Sequence, residues 1–255
     1  MIKINRIYHG DCLKWTKKID DESIDAIITD PPYGCGKTAC EWDSLIPFEP
    51  MWEHILRIIK PGRAIVIFGT EPFSSALRMS NIKNYKYDWI WLKTKPTGYQ
   101  ISKIKPLSKH ENITVFGKGK ILYNPQMIVR DKPRIGNVHS TNNQMKVSGG
   151  GVYREYKNYT HRYPTSVIEF GNAIQKRKLH PTQKPVDLME YLIKTYTNEG
   201  DVVLDFTCGS GTTGVACRDT NRDFILIEKE LKYCKIAKER TGAKIVKFKK
   251  KSSNG

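Results

Sequence analysis

Residues 202–216, VVLDFTCGSGTTGVA, decide the fold class of this chain. The apolar run that ends at Asp205 is typical of a buried parallel strand, and the glycines after it indicate a tight turn into a helix. Backbone N–H groups at such a turn face a ligand, and residues 209–214 have the spacing G-x-G-x-x-G of a dinucleotide site. Glu228 ends the next apolar run, FILIE, where such a site places an acid on ribose hydroxyls.

Strand-like and helix-like segments alternate on both sides of this turn. Apolar runs predict six strands, at 23–30, 63–69, 85–92, 113–117, 201–206 and 224–228. Apolar residues at helical spacing predict four helices, at 50–60, 186–197, 212–219 and 231–240. The alternation predicts an α/β fold with a doubly wound, Rossmann-like parallel sheet. The basic end of the chain, from Lys244 onward, is expected to fray.

The charge balance points to a polyanionic partner. The chain has 43 Lys and Arg against 26 Asp and Glu, a formal net charge of +17. A solvated basic surface is the alternative, whereas a membrane surface would need an amphipathic basic helix or a lipidation signal, and neither is evident. No apolar run reaches the ~18 residues that span a bilayer and no signal peptide is evident, so we expect an intracellular protein. The six cysteines form no CxxC pair, and we expect no metal site.

Between residues 118 and 178 the apolar residues lose the regular spacing of helices and strands. Asn, Ser, Thr and Gly accumulate there, and basic residues alternate with aromatic ones in VYREYKNYTHRY, 152–163. A long disordered loop is one interpretation, and a compact basic insert that contacts the partner is the other. The aromatic residues favour at least partial order.

Residues 29–38, TDPPYGCGKT, have two competing interpretations. A phosphate-binding loop ending in Gly36-Lys37-Thr38 would need glycine at position 31, where Pro31 offers no N–H donor. Asp30, in contrast, ends a buried strand, at the edge where α/β sheets bind ligands. Its carboxylate and the Pro31 carbonyl supply two acceptors, and Tyr33 supplies a stacking face. The stretch therefore predicts a pocket for a planar ring with an amino group, a plain proline turn being the alternative.

Together these segments resemble the amino-methylating DNA methyltransferases of the permuted beta class, which use S-adenosylmethionine to methylate adenine N6 or cytosine N4. Six motifs in family order carry the likeness: GDCLKW (10–15), IDAIITDPPYG (24–34), SKHENITVFGKGK (108–120), HPTQKPVDLMEYLI (180–193), VVLDFTCGSGTTGVA (202–216) and FILIEKE (224–230). The resemblance implies a methyltransferase domain made of 1–117 and 179–247. Residues 118–178 would be an inserted target-recognition region, and 248–255 a basic tail.

The resemblance also implies where S-adenosylmethionine would bind. The glycine loop would line the cofactor and Glu228 would bind its ribose, although the loop alone would also suit a nicotinamide oxidoreductase. Asp11 would lie near the cofactor adenine or merely cap a helix, and Lys184 would pair with the methionine carboxylate or be solvated. His110 and Glu111 would support the catalytic loop. The predicted cofactor set is Asp11, Cys12, Asp30, Thr182, Gln183, Lys184, Asp205, Phe206, Thr207, Cys208, Gly209, Ser210, Gly211, Thr212, Thr213, Glu228 and Lys229.

The predicted catalytic set is Asp30, Pro31, Pro32 and Tyr33. Asp30 and the Pro31 carbonyl would accept the N–H groups of the target amine, so that its lone pair faces the methyl group. Tyr33 would stack on a base flipped out of the duplex. Contacts to double-stranded DNA are expected from basic residues of the insert, namely Arg130, Lys132, Arg134, Lys146, Arg154, Lys157, Arg162, Lys176, Arg177 and Lys178.

The aspartate that begins DPPY favours adenine over cytosine as the target, by the same resemblance. No Pro-Cys dipeptide occurs, which removes the usual nucleophile for cytosine C5 methylation. An RNA or protein methyltransferase is an alternative that the motif order and the basic insert disfavour. A DNA-binding module without activity is disfavoured because Asp30, Tyr33, Asp205 and Glu228 are all present. Related enzymes are often homodimers, although no stretch of the sequence shows an interface.

Overall fold

A computed structural model of the protein describes residues 2–34, 44–137, 156–172 and 183–248, with the side chains of 136–137 and 156–158 excepted. The chain forms two compact units. The larger unit comprises residues 1–124 and 166–255, and the smaller unit comprises residues 125–165.

The larger unit alternates strands with helices along the chain. Its strands are β1 (Arg6–His9), β2 (Ile24–Thr29), β3 (Ile59–Gly69), β4 (Tyr85–Thr97), β5 (Ser108–Phe116), β8 (Val167–Phe170), β9 (Val202–Asp205), β10 (Asp223–Glu228) and β11 (Lys244–Lys247). Its helices are α1 (Cys12–Thr16), α2 (Phe48–Ile58), α3 (Phe73–Ser80), α4 (Val186–Tyr196), α5 (Thr212–Asp219) and α6 (Leu231–Thr241). Short 3₁₀ turns cover Ile82–Asn84 and Tyr99–Ile101.

These strands form one sheet in the order β11-β1-β10-β9-β2-β3-β5-β4-β8. Strand β5 is antiparallel to both β3 and β4, and the other neighbours are parallel. The expectation of an entirely parallel sheet is therefore corrected at β5. An apolar run such as 113–117 indicates burial, but it carries no information on strand direction.

Helices cover both faces of the sheet, as the doubly wound prediction requires. On one face, Ile28 and Val66 pack in a core with residues of α4, α5 and α6, including Leu192. On the other face, Ile27 and Ile65 pack in a second core with residues of α1, α2 and α3. Successive strand residues point to opposite faces, so each central strand contributes to both cores. This is why the strand sequences are apolar throughout.

The C-terminal segment from Lys244 differs from the sequence-based expectation. Residues 244–247 form β11, which pairs with β1 in parallel and extends the sheet by one edge strand, so they are not frayed. A short basic segment gives no sign of its ladder partner, because the partner lies far away in sequence. Lysines at an edge strand also limit pairing with other chains. None of the helices in the described ranges is long and apolar enough to cross a membrane.

The predicted insert, 118–178, is wider than the compact smaller unit. The smaller unit contains an antiparallel ribbon of β6 (Ile128–Asn137) and β7 (Tyr156–Arg162), so these residues do not form a disordered loop. Residues 118–124 belong to the larger unit, where the Leu122 N–H donates to the Gly62 carbonyl at 2.8 Å. Residues 167–170 pair with β4 in the main sheet. Target recognition by the insert stays a prediction.

Candidate active site

The strand order places a ligand crevice at the carboxyl ends of β2 and β9. These two strands are neighbours, and the chain leaves them in opposite directions. From β9 it passes through α5 to β10, and from β2 it passes through α2 to β3, on the opposite face. Open α/β sheets bind ligands at such a switch point. Asp30 follows β2 directly at this point, and Asp205 ends β9 there.

The glycine loop after β9 turns tightly against its neighbours. Gly209 and Gly211 have φ of +51° and +77°, a region that suits glycine. A Cβ on Gly211 would lie 2.7 Å from the Cβ of Ala237, so only glycine fits without a shift of α6. The close approach brings the amino end of α5 and its backbone N–H groups to the crevice.

Arg240 stabilises this loop, a role that no sequence motif indicates. One guanidinium nitrogen, Nη1, donates to the Ser210 carbonyl at 2.7 Å, the Ser210 hydroxyl at 3.0 Å and the Thr212 hydroxyl at 3.0 Å. Both hydroxyls belong to the predicted cofactor set, and their partner here is Arg240. These contacts hold the loop in shape, and cofactor binding by the two hydroxyls stays a prediction.

Asp205 ties the loop to two strands. Its Oδ1 accepts from the Thr29 hydroxyl at 2.8 Å and from the Thr207 N–H at 3.1 Å, while its Oδ2 accepts from the Thr213 hydroxyl. Burial raises the pKa of Asp205 to about 6, although these three donors act to lower it. Asp205 therefore joins β2, β9 and α5 at the base of the crevice.

Glu228 lies directly beside the glycine loop. Its Oε2 accepts from the Gly209 N–H at 2.8 Å, and its Oε1 accepts from the Glu230 N–H at 2.7 Å. Burial raises its pKa to about 7. Each carboxylate oxygen has a second lone pair, so Glu228 can still accept hydrogen bonds from a pair of ribose hydroxyls.

Asp11 and Cys12 lie at the neighbouring strand end. Asp11 is the N-cap of α1, and its Oδ1 accepts from the Lys14 N–H at 3.0 Å. The preceding Gly10 N–H donates to the Glu228 carbonyl at 2.8 Å, which holds this loop against β10. The capping interpretation of Asp11 is thus correct, and it leaves the second carboxylate oxygen for other contacts. Burial raises the pKa of the Cys12 thiol to about 12, which keeps the thiol protonated.

Asp30 has a protein donor on each carboxylate oxygen. The Tyr33 hydroxyl donates to Oδ1 at 2.6 Å, and the Lys184 ammonium donates to Oδ2 at 2.6 Å. The Tyr33 ring also stacks on Phe73, with centroids 5.0 Å apart and planes inclined by 27°. The DPPY segment is therefore an ordered part of the site and not a plain proline turn.

Lys184 connects Asp30 to Glu111, which the resemblance predicts to support the catalytic loop, and through Glu111 to Lys93, which sequence reasoning missed. Its Nζ lies 3.2 Å from Glu111 Oε2, and Glu111 Oε1 lies 2.6 Å from Lys93 Nζ. Lys184 is only 8% exposed, so the alternative of a solvated lysine is wrong. Nothing in the sequence marks Lys93, since the burial of a lysine on a strand depends on its neighbours.

Burial and charge act in opposite directions on these groups. Burial raises the pKa of Asp30 above its ordinary value, while the Lys184 charge acts to lower it. Burial lowers the pKa of Lys184, but Asp30 and Glu111 together raise it above its ordinary value. Burial acts to raise the pKa of Glu111, but Lys184 and Lys93 hold it below its ordinary value. Lys184 is therefore charged, and Glu111 is ionised beside it.

The other predicted residues fall into three groups. Gln183, Phe206, Cys208 and Lys229 are described, with Phe206 and Cys208 buried and Lys229 exposed next to Glu228. Arg130, Lys132, Arg134 and Arg162 lie on the β6–β7 ribbon, where the Arg130 Nε–H donates to the His161 carbonyl at 3.2 Å. Outside the described residues or side chains lie Thr182, Lys146, Arg154, Lys157, Lys176, Arg177 and Lys178.

Comparisons with known proteins agree with this geometry. A family model for N6 and N4 methyltransferases, described as DNA methylase, matches residues 24–239. Type II methyltransferase M.HpaI of Haemophilus parainfluenzae is 32% identical over 252 residues, covering 92% of this chain and 73% of the relative. DNA adenine methyltransferase YhdJ of Escherichia coli K12 is 31% identical over 258 residues, covering 92% and 81%. The crystal structure of the M1.HpyAVI–SAM complex matches with a TM-score of 0.61 at 27% identity, covering 92% and 98%.

The sheet, the glycine loop and the acids at three strand ends define a Rossmann-like methyltransferase. The chain belongs to the DNA methylase family of N6 and N4 methyltransferases. The fold class and the family predicted from the sequence are thereby confirmed. The protein is an enzyme whose substrate is DNA.

Proposed function

We propose that this enzyme transfers a methyl group from S-adenosylmethionine to the N6 atom of adenine in double-stranded DNA. The observation that carries the proposal is Asp30, a half-buried carboxylate that Lys184 and Tyr33 hold at the sheet edge, close to Asp205 and the glycine loop. The adenine target is supported by YhdJ, which is named as a DNA adenine methyltransferase, and by the aspartate at the start of DPPY.

The residues at the carboxyl ends of β9 and β10 fit S-adenosylmethionine. Gly211 lets the loop pack closely against α6, which sets the turn that leads into the amino end of α5. Glu228 lies beside it with acceptor capacity for ribose hydroxyls, and Asp11 lies at the adjacent strand end. When bound, the cofactor supplies a methyl group activated by its sulfonium charge. Gln183 and Lys184 would line the methionine end.

Asp30 would orient the target amine. The lone pair of an exocyclic amine is delocalised into the ring, which makes the nitrogen a poor nucleophile. Hydrogen bonds from its two N–H groups to Asp30 and the Pro31 carbonyl favour a geometry in which the lone pair is localised and aimed. Both Asp30 oxygens already accept one hydrogen bond, and each has a second lone pair for this purpose. The ionised form is required, because a protonated carboxyl group would lose part of its acceptor capacity.

The target base would have to leave the duplex. Asp30 is half-buried at the sheet edge, and a base stacked inside a helix cannot reach it. We propose that the base packs against Tyr33, whose ring is already stacked on Phe73. Basic residues of the β6–β7 ribbon would contact the DNA backbone, in keeping with the net charge of +17.

The reaction can be tested with unmethylated duplex DNA and methyl-labelled S-adenosylmethionine, followed by digestion to nucleosides. We expect label in N6-methyldeoxyadenosine with the wild-type enzyme. Asp30→Asn, which keeps the shape and removes the charge, should abolish labelling, while the exposed Glu199→Gln should match the wild type. Label in N4-methyldeoxycytidine would change the target base, and an unaffected Asp30→Asn variant would contradict the role of Asp30.

Two wider features are also proposals. We propose an intracellular location, because the substrate is DNA. We propose a homodimer by resemblance to related enzymes. Light scattering of the purified protein, with and without duplex DNA, would test the oligomeric state, and a monomer under both conditions would contradict the dimer.

A further inference from the structure

Four charged side chains of alternating sign, two of them buried and two half-buried, lead from β4 to the catalytic carboxylate. Lys93 of β4 contacts Glu111 of β5 at 2.6 Å, Glu111 contacts Lys184 at 3.2 Å, and Lys184 contacts Asp30 at 2.6 Å. Their side chains are 8%, 13%, 9% and 19% exposed, in that order. We call this set the charge relay. Its net charge is zero, which limits the cost of burying four charges.

The charge relay consists of an inner pair, Lys184 and Asp30, and an outer pair, Lys93 and Glu111. The role of the inner pair follows from the proposed function, but the role of the outer pair does not. Lys184 contacts the carboxylate that acts on the substrate, whereas Lys93 contacts only Glu111 among the carboxylates in the described ranges. Burying an ammonium group costs free energy unless an opposite charge compensates it. Without the Lys93–Glu111 pair, Lys184 would contact a single carboxylate, Asp30. The outer pair therefore bears on how strongly the Lys184 charge stabilises the ionised form of Asp30.

We propose that Lys93 and Glu111 are positioning residues that set the ionisation of Asp30 through Lys184. The catalytic meaning of this inference rests on the proposed function, but the ionisation itself does not. Glu111 shares the Lys184 ammonium with Asp30 and adds a like charge near it, so it disfavours the Asp30 anion. Lys93 neutralises Glu111 and so removes that penalty. Glu111 therefore disfavours the ionised form of Asp30, and Lys93 favours it.

The direction of each effect follows from the groups that face Asp30. These are Tyr33 on its own loop, Lys184 before α4, Glu111 on β5 and Asp205 on β9. Lys93→Met leaves the Glu111 charge unbalanced, so Asp30 should titrate at a higher pH than in the wild type. Glu111→Gln frees Lys184 for Asp30 alone, so Asp30 should titrate at a lower pH. Each shift should be about 1 pH unit.

The experiment is a carboxyl ¹³C NMR titration of full-length protein labelled at aspartate. The Asp30 resonance is assigned by its loss in Asp30→Asn. It is then followed with pH in the wild type, Lys93→Met, Glu111→Gln and the double variant. The double variant removes both charges together and should titrate between the two single variants. Lys95→Met, an exposed lysine on the same strand, is the matched control and should titrate as the wild type.

Folding and activity are measured alongside. Circular dichroism identifies variants that fail to fold, and if Lys93→Met fails, Glu111→Gln and the double variant still give the sign of the effect. The acid limb of kcat/KM for DNA methylation should move with the Asp30 titration in each variant. Lys93→Arg, which keeps the charge, should restore the wild-type profile.

Different results separate the two proposals. Opposite shifts for Lys93→Met and Glu111→Gln support the charge relay, even if the wild type methylates no DNA and the proposed function fails. An Asp30 titration that is identical in the wild type and all folded variants overturns the charge relay, whatever the activity. Shifts of the same sign in both single variants also overturn it, because a general loss of packing would explain them.

Discussion

Lys184 donates a hydrogen bond of 2.6 Å to Asp30, across 154 residues of sequence. This contact joins the DPPY segment after β2 to the segment before α4. It supplies a positive charge to a carboxylate whose burial would otherwise favour protonation. Asp30 and its charge partner are thus brought together by the sheet and not by a local motif.

Replacing Lys184 by methionine should lower kcat/KM for DNA methylation at pH 7 by about 100-fold, because Asp30 would lose its charge partner and stay largely protonated. Lys184→Arg should retain more activity, since it keeps the charge. The measurement is the pH profile of kcat/KM, in which activity of Lys184→Met should recover partly at higher pH. Full activity of Lys184→Met at pH 7 would show that Asp30 needs no charge partner.

Glu228 should make the protein less stable as the pH rises towards neutrality. Its folded pKa is about 7, above the ordinary 4.5, so the folded state binds the proton more tightly than the unfolded state. The stabilisation that Glu228 contributes is fully present below pH 4.5 and is lost as the pH rises through 7. The loss is on the order of 3 kcal/mol over this window.

Urea unfolding of the wild type and Glu228→Gln at pH 4.5, 6 and 8 measures this effect. The difference in unfolding free energy between the two proteins should grow in favour of Glu228→Gln as the pH rises. Asp205, whose pKa is raised to about 6, contributes in the same direction and is present in both proteins. A difference that does not change with pH would contradict the raised pKa of Glu228.

Gly211→Ala should destabilise the fold by about 2 kcal/mol or more, because it combines a φ of +77° with a Cβ only 2.7 Å from Ala237. Gly242→Ala is the matched control, since its φ is +74° and no atom lies within 4 Å of the added Cβ. Thermal unfolding of both variants separates strain from contact. Equal losses would show that the close approach to α6 costs nothing.

Replacing Lys132 and Arg134 of β6 by alanine should weaken DNA binding and reduce its dependence on salt. If both residues contact phosphates, the slope of log K against log salt should fall by about 2. Fluorescence anisotropy with labelled duplex DNA at several salt concentrations measures this slope. Replacing Lys235 and Lys238, exposed residues of α6, removes the same charge and should leave the slope unchanged. Equal effects of both pairs would indicate a general charge effect.

The sequence alone determined the fold class and the family, and it named the acids of the candidate site, whose roles stay predictions. Apolar runs mark buried strands because a central parallel strand is covered on both faces, and the glycine spacing after Asp205 marks a turn with a special backbone geometry. Asp30, Asp205 and Glu228 could be named because each ends such a run, and strand ends meet at one edge of a sheet. These signals depend only on residues that are close together in sequence, so a single sequence is enough to show them.

Only the tertiary structure decided the direction of β5, the pairing of β11 with β1, and the partners of the acids. Lys93, Glu111 and Arg240 act through residues far away in sequence, and a charged side chain on a strand or helix has the same local pattern whether it is buried or solvated. Its burial and its partner depend on which elements pack together. The electrostatics of Asp30 therefore follow from the strand order, which brings β2, β4, β5 and the segment before α4 to one place.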